Sequence, residues 1–156
     1  MAIEIRPYEP RHLKATARVW SDSFRASALP GIGGGSVREF AARIPRELAD
    51  GWSAWLAWDG SRLVGFLALR PEQGQLHQLF VAPDAQGQGI GRQLLDHAKR
   101  QLPDGFWLTT VAANAGARRF YARHGLIESK PDPRDPPAHG KVTYRWRANG
   151  QSDVSR

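Results

Sequence analysis

The chain contains no cysteine. That excludes disulfides, thiolate nucleophiles and cysteine-based metal sites, and it fits a reducing compartment, so a cytoplasmic location is expected. No apolar run approaches the roughly 20 residues that a bilayer-spanning helix needs, so no membrane partner is expected. The opening stretch MAIEIRPYEP has no basic head followed by an apolar run, and it does not read as a secretory signal. Lysine and arginine form no block; they are spread over 6–18, 38–46, 92–100 and 118–123. The net charge of +7 therefore reads as a solvated basic surface, with no nucleic-acid partner expected, although a phosphate-rich ligand would draw on the same field. His12, His77, His97, His124 and His139 follow no H-E-x-x-H or comparable spacing, so no metal is expected.

What is present suits one α/β domain. A chain of 156 residues, 41% hydrophobic and 24% charged, can bury a proper core without staples. IEIRPY (3–8) alternates as a strand. In 11–28, Leu13, Ala17, Trp20 and Phe24 fall on one helical face. PGIGGGS (30–36) breaks regular structure, and Ser36 with Glu39 predicts a capped helix to about Leu48. Residues 52–83 read as three strands, with a hairpin turn at Asp59-Gly60, a second turn at 71–75 and a last strand at 76–81. A helix is predicted from about Gly89 to Leu102, burying Ile90, Leu94, Leu95 and Ala98. A strand at 106–111, a short helix at 114–125 and strands at 126–130 and 141–147 follow, the last two around the proline-rich PDPRDPP. The domain is expected to span 1–147, with 148–156 a polar tail. Hairpins and helical crossovers together predict a mixed sheet with helices on its faces. Trp52, Trp55 and Trp58 read as core and rim packing more readily than as a stacking surface.

The informative stretch is VAPDAQGQGIGRQLLDHAKR, residues 81–100. Its glycines fall between a strand and a helix. Helix N-termini present unpartnered N–H groups and positive potential, so a glycine-lined turn there can cradle a phosphate, with Arg92 as an added cation. A turn that merely permits close helix–strand packing needs the same glycines. Two familiar phosphate loops fail on spacing: Gly91-Arg92-Gln93 stands where a P-loop needs Gly-Lys-Ser/Thr, and the glycines run G-x-G-x-G instead of G-x-G-x-x-G.

QLFVAPDAQGQGIGRQLL resembles the acetyl-CoA-binding motif of the GNAT superfamily of N-acetyltransferases, Gln/Arg-x-x-Gly-x-Gly/Ala, matched by Gln86, Gly89 and Gly91. NAGARRFYARHGL (114–126) is similar to the family's Asn…Ala…Phe-Tyr…Gly-Leu/Phe segment. The element order fits as well, so the resemblance covers 3 to about 147. It implies a single-domain, mostly antiparallel mixed sheet whose fourth and fifth strands splay apart. It implies acetyl-CoA as donor and a small-molecule amine as acceptor. A protein lysine or N-terminal acceptor, or a non-catalytic acyl-CoA-binding domain, are the alternatives. Homodimers are common in the family, though no interface signature is visible.

Residue by residue, the resemblance gives Leu79, Phe80 and Val81 to the pantetheine arm and Asn114 to a hydrogen bond with it. It gives Gly87, Gln88, Gly89, Ile90, Gly91 and Arg92 to the pyrophosphate. Tyr121 matches the tyrosine that protonates the leaving thiolate, a role that suits a phenol protonated at neutral pH. By position alone Tyr121 reads more readily as an aromatic packed beside Phe120; Asn114 seven residues earlier reverses that preference. A fourth-strand amide, that of Phe80 or a neighbour, would meet the oxyanion. Thr109 stands where many relatives carry a glutamate base. His77 is the expected base, with Glu72 or a water wire in reserve, although a lone strand histidine is commonly a packed residue. Trp20–Phe24, PGIGGGS and PDPRDPPAHG occupy the acceptor-shaping segments and select no particular amine.

Overall fold

A computed structural model describes residues 2–27, 34–129 and 140–148. In chain order the elements are β1 (Ile3–Pro7), α1 (Leu13–Ala26), α2 (Val37–Ala49), β2 (Ser53–Asp59), β3 (Arg62–Arg70), β4 (Gln75–Val81), α3 (Ile90–Gln101), β5 (Phe106–Val111), α4 (Ala115–Arg123), β6 (Ile127–Ser129) and β7 (Lys141–Trp146). Short 3-10 turns, each begun by a proline, precede α1, β4 and the turn into α3. The PDPRDPP loop, residues 30–33 of the glycine-rich loop, His139 and the tail beyond Ala148 lie outside the described residues.

The seven strands form one sheet in the order β1-β2-β3-β4-β5-β7-β6. Every neighbouring pair is antiparallel except β4 and β5, which are parallel and meet only at Gln75 and Trp107. Beyond that single bridge the two strands separate, and the sheet opens into a gap.

Helices cover both faces. Gly65 and Phe66 are successive residues of β3 and so point to opposite sides. A Cβ at Gly65 would meet Leu94 and Ile90 of α3, whereas Phe66 stacks on Phe80 of β4 at 5.0 Å and on Trp20 of α1 at 6.3 Å. Trp20 also stacks on Phe40 of α2 at 4.0 Å. The first face is therefore α3's and the second is an aromatic layer under α1 and α2. Each of these rings is at most 9% exposed; withdrawing such a side chain from water contributes about 1.5–3 kcal/mol.

Capping ties the second layer together. The Ser36 hydroxyl accepts from the Glu39 N–H at 3.1 Å. The Glu39 carboxylate reaches back one residue further than the capping box predicts, accepting from the Gly35 N–H at 3.1 Å. Buried Ser21 of α1 donates to the Gly35 carbonyl at 2.5 Å, fastening the start of α2 to α1.

Candidate active site

The turn between β4 and α3 is shaped by two glycines. Gly87 (φ 79°) and Gly89 (φ 82°) both take the left-handed conformation that side chains disfavour. A Cβ at either would meet nothing within 4 Å. They are glycine because of how the chain bends, not because a neighbour crowds them. Gly91 differs: its Cβ would lie 3.1 Å from the Phe120 ring of α4. The three glycines thus divide into two that aim the backbone and one that admits α4. Gly89 is the N-cap of α3 with no side-chain cap, so the first-turn amides have no partner from a capping side chain. The Gln86 amide donates to the Val81 carbonyl at 3.2 Å, pinning the turn to the end of β4.

These residues line a cleft of about 650 Å³ that runs between β4, the turn, α4 and the end of α1. Of the thirteen residues expected from sequence at the site, all but His77 and Gln88 line it. The β4 wall is a strand edge. Ala82 donates to the Val64 carbonyl at 2.8 Å, and Phe66 pairs with Phe80 in the same register. Antiparallel alternation then points the backbone groups of Phe80 at β3 and those of Leu79 and Val81 into the gap. The amide offered to an incoming group is therefore that of a neighbour of Phe80, while the Phe80 ring completes the aromatic stack.

Asn114 caps α4, its side-chain oxygen accepting from the Ala117 N–H at 3.1 Å, which leaves the amide NH2 without a partner among the described residues. Tyr121 lines the cleft from α4, 7% exposed, with its ring against Phe120 at 5.2 Å and Tyr144 of β7 at 5.8 Å. Its hydroxyl makes no hydrogen bond to the described residues. Burial pushes this phenol well above the ordinary tyrosine range, so it stays protonated far beyond neutral pH. Arg92, Arg123 and His124 also line the cleft. Burial and the neighbouring Arg123, Arg92 and Lys99 lower the pKa of His124, against Asp96. A strand edge, a cradle of amides, a basic rim and a protonated phenol suit an extended arm ending in a pyrophosphate, with a leaving group beside the phenol.

His77 sits elsewhere. β4 has one residue more than β3 between the pairs Ala68–Gln78 and Leu69–Leu76, so His77 is the extra residue of a bulge. Its ring turns to the α2 face, where Nδ1 accepts from the Trp52 indole at 2.8 Å and lies 3.5 Å from Glu47 of α2. With Nδ1 occupied, the neutral ring carries its proton on Nε2 and has no free lone pair. Burial and then Arg70 lower its pKa, against the pull of Glu47. This geometry does not offer His77 as a base. Thr109 and Glu72 are exposed and outside the cleft. Among the described residues no cluster of three or more His, Asp or Glu could hold a metal ion, and no helix is long and apolar enough to cross a membrane.

The sequence did not reveal Ser23, Ala26 and Ser27, which bring the end of α1 to the cleft. Nor did it reveal that Phe120 lies over Gly91. The first group follows no motif. The second joins residues 29 positions apart, and only the two adjacent motifs hinted that they meet.

Comparison with known proteins shows the family and the fold. The model of the acetyltransferase (GNAT) family matches residues 17–126. The chain is 31% identical over 134 residues to mycothiol acetyltransferase of Nocardia farcinica, covering 78% of this chain and 41% of that one. It is 38% identical over 73 residues to peptidyl-lysine N-acetyltransferase YjaB of Salmonella typhimurium, covering 46% of this chain and 48% of that one. It spans under half the length of these curated relatives. The crystal structure of PaiA N-acetyltransferase from Thermoplasma acidophilum in complex with coenzyme A superposes with a TM-score of 0.76 at 19% identity, covering 94% of this chain and 99% of that one. That likeness is one of fold.

Proposed function

The chain belongs to the acetyltransferase (GNAT) family, and from that premise we propose that it transfers the acetyl group of acetyl-CoA directly to a primary amine of a small molecule. The observation that carries this reading is the cleft itself, where Leu79, Val81, the Gly87–Gly91 turn, Asn114 and Tyr121 converge. In this reading the pyrophosphate rests on the first-turn amides of α3 and the pantetheine arm adds to the β4 edge as a further strand. The Asn114 NH2 donates to that arm.

The amine nitrogen attacks the thioester carbonyl carbon, and the oxyanion is met by the outward amide of Leu79 or Val81. The carbon–sulfur bond then breaks. Tyr121 donates its hydrogen bond, and finally its proton, to the departing sulfur as charge gathers there. The amine's surplus proton leaves to water, because the Nδ1 of His77 is held by Trp52. A cleft-lining phenol without a hydrogen-bond partner among the described residues suits turnover better than binding alone.

Thermal stabilisation by acetyl-CoA tests donor binding; it should reach about 2.7 kcal/mol when ligand stands at roughly 100 times its Kd. No shift at saturation removes the reading. Free-thiol release against a panel of amines then tests transfer. A second reading, acetylation of peptide lysine, is favoured by the name of the Salmonella relative, and lysine peptides in the same panel separate the two.

A further inference from the structure

Tyr121 stands on a helix of nine residues, too short to hold its own shape, so something must fix its rotation. Gly91 and Phe120 register α4 on the α3 side. On the other side, Arg118 lies three residues before Tyr121 and therefore neighbours it on the helix surface. Its guanidinium donates to the Ala112 carbonyl at 3.2 Å and meets the Glu128 carboxylate of β6 at 2.8 Å. The same Glu128 oxygen accepts from the Tyr144 hydroxyl at 3.1 Å. Glu128 and Tyr144 face one another in the β6–β7 register, and the Tyr144 ring packs on Tyr121. The chain of contacts closes: Tyr121, Arg118, Glu128, Tyr144 and back to Tyr121.

The Arg118 and Glu128 side chains are 40% and 42% exposed, and ion pairs that open to water contribute little to stability. Yet Tyr144 is 3% exposed and spends its hydroxyl on this group. A stabilising role explains the expense poorly; an orienting role explains it well.

We propose that Arg118, Glu128 and Tyr144 are positioning residues that set the angle at which the Tyr121 hydroxyl meets the sulfur of the bound donor. The proposal rests on the proton-donor reading of Tyr121. It goes beyond it by assigning the last two strands, β7 and the edge strand β6, a part in catalysis.

The test needs no acceptor. The chain has three tyrosines, so a carbon-isotope label at tyrosine Cζ gives few resonances, and Tyr121→Phe identifies the one that matters. CoA is compared with desulfo-CoA, which lacks the thiol. In the wild type the Tyr121 resonance should move with CoA and much less with desulfo-CoA. In Glu128→Gln, Arg118→Gln and Tyr144→Phe that sulfur-dependent movement should be largely lost while CoA Kd stays within about twofold, under 0.5 kcal/mol. Tyr144→Phe removes one oxygen only, and the other two sites are half exposed, so the variants should fold. A sulfur-dependent shift that survives all three substitutions overturns the clamp. CoA binding without any sulfur-dependent shift in the wild type overturns the role of Tyr121 and the clamp with it. Failure of CoA to bind overturns the acetyltransferase reading itself.

Discussion

The cleft and the α2 side of the sheet are built on different terms. On the proposed donor side, the groups on offer are chiefly backbone: the outward edge of β4, the amides after Gly89, and a phenol and an amide without hydrogen-bond partners among the described residues. On the α2 side, the polar groups satisfy one another. Glu47 pairs with Arg70 at 2.8 Å and Arg43 at 3.3 Å, and Trp52 donates to His77. A region whose donors are unspent is ready for a ligand; one whose groups are mutually spent is ready to hold shape. Under the proposed function, this contrast is why the cleft suits one donor and leaves the acceptor open.

The sharpest break between the sides is at Tyr121. Tyr121→Phe keeps the ring packed and removes only the hydroxyl, so kcat for thiol release should fall about 100- to 10,000-fold with acetyl-CoA Kd unchanged. Because burial raises its pKa, kcat should show no alkaline decline near pH 10 (a tyrosine's ordinary value, about 10). A decline there would mean the phenol is solvated and the reading of the cleft is too closed.

On the opposite side, His77→Ala should cost stability and spare the donor. It leaves the Trp52 indole without its acceptor, a loss of about 1–3 kcal/mol in urea unfolding, while acetyl-CoA affinity is retained. If acetyl-CoA Kd rises instead, the α2 side takes part in donor binding and the division fails. Next come the glycines. Gly89→Ala forces a side chain into the left-handed region at about 1–2 kcal/mol, weakening acetyl-CoA roughly tenfold. Gly91→Ala keeps the amides in place but presses on Phe120, so it should lower kcat more than affinity. Calorimetry and steady-state rates read the two apart.

How far the sequence could see follows the same division. Backbone recognition leaves a mark in sequence because it needs glycine at fixed places: Gly87 and Gly89 were visible, and so was Asn114 at the head of its helix. The strand and helix order was legible from periodicity, because each element buries one face, as α3 does with Ile90, Leu94, Leu95 and Ala98. Side-chain networks leave no such mark. Nothing in Glu47, Trp52 and His77, spread over 31 positions, shows that a bulge in β4 would turn the histidine to α2. Nor could spacing separate the two bending glycines from Gly91, whose reason is a ring from another helix. The glycine-rich and proline-rich loops, where acceptor choice was expected, lie wholly or partly outside the described residues.

The smallest effect is a matter of protons, and it again divides the regions. His77, His97 and His124 all have pKa values lowered in the fold, chiefly by burial. The unfolded chain titrates them near pH 6.5, so as pH falls through that value it takes up protons before the folded chain does. Stability is then fully present above about pH 7 and declines toward the lowered folded values. Calorimetric Tm from pH 7.5 to 5.5 should show this slope, and it should shrink in His97→Gln and His124→Gln alike. Only His124 lines the cleft, among the cations Arg92 and Arg123. An anionic donor seated there offsets those charges, raises the His124 pKa and draws a proton on binding. Titration calorimetry of CoA near pH 6.5, in buffers of different ionisation enthalpy, should therefore show proton uptake. His124→Gln should abolish that uptake and His97→Gln should leave it. Uptake that persists without His124 would move the proton, and with it the electrostatic centre of donor recognition, to another part of the cleft.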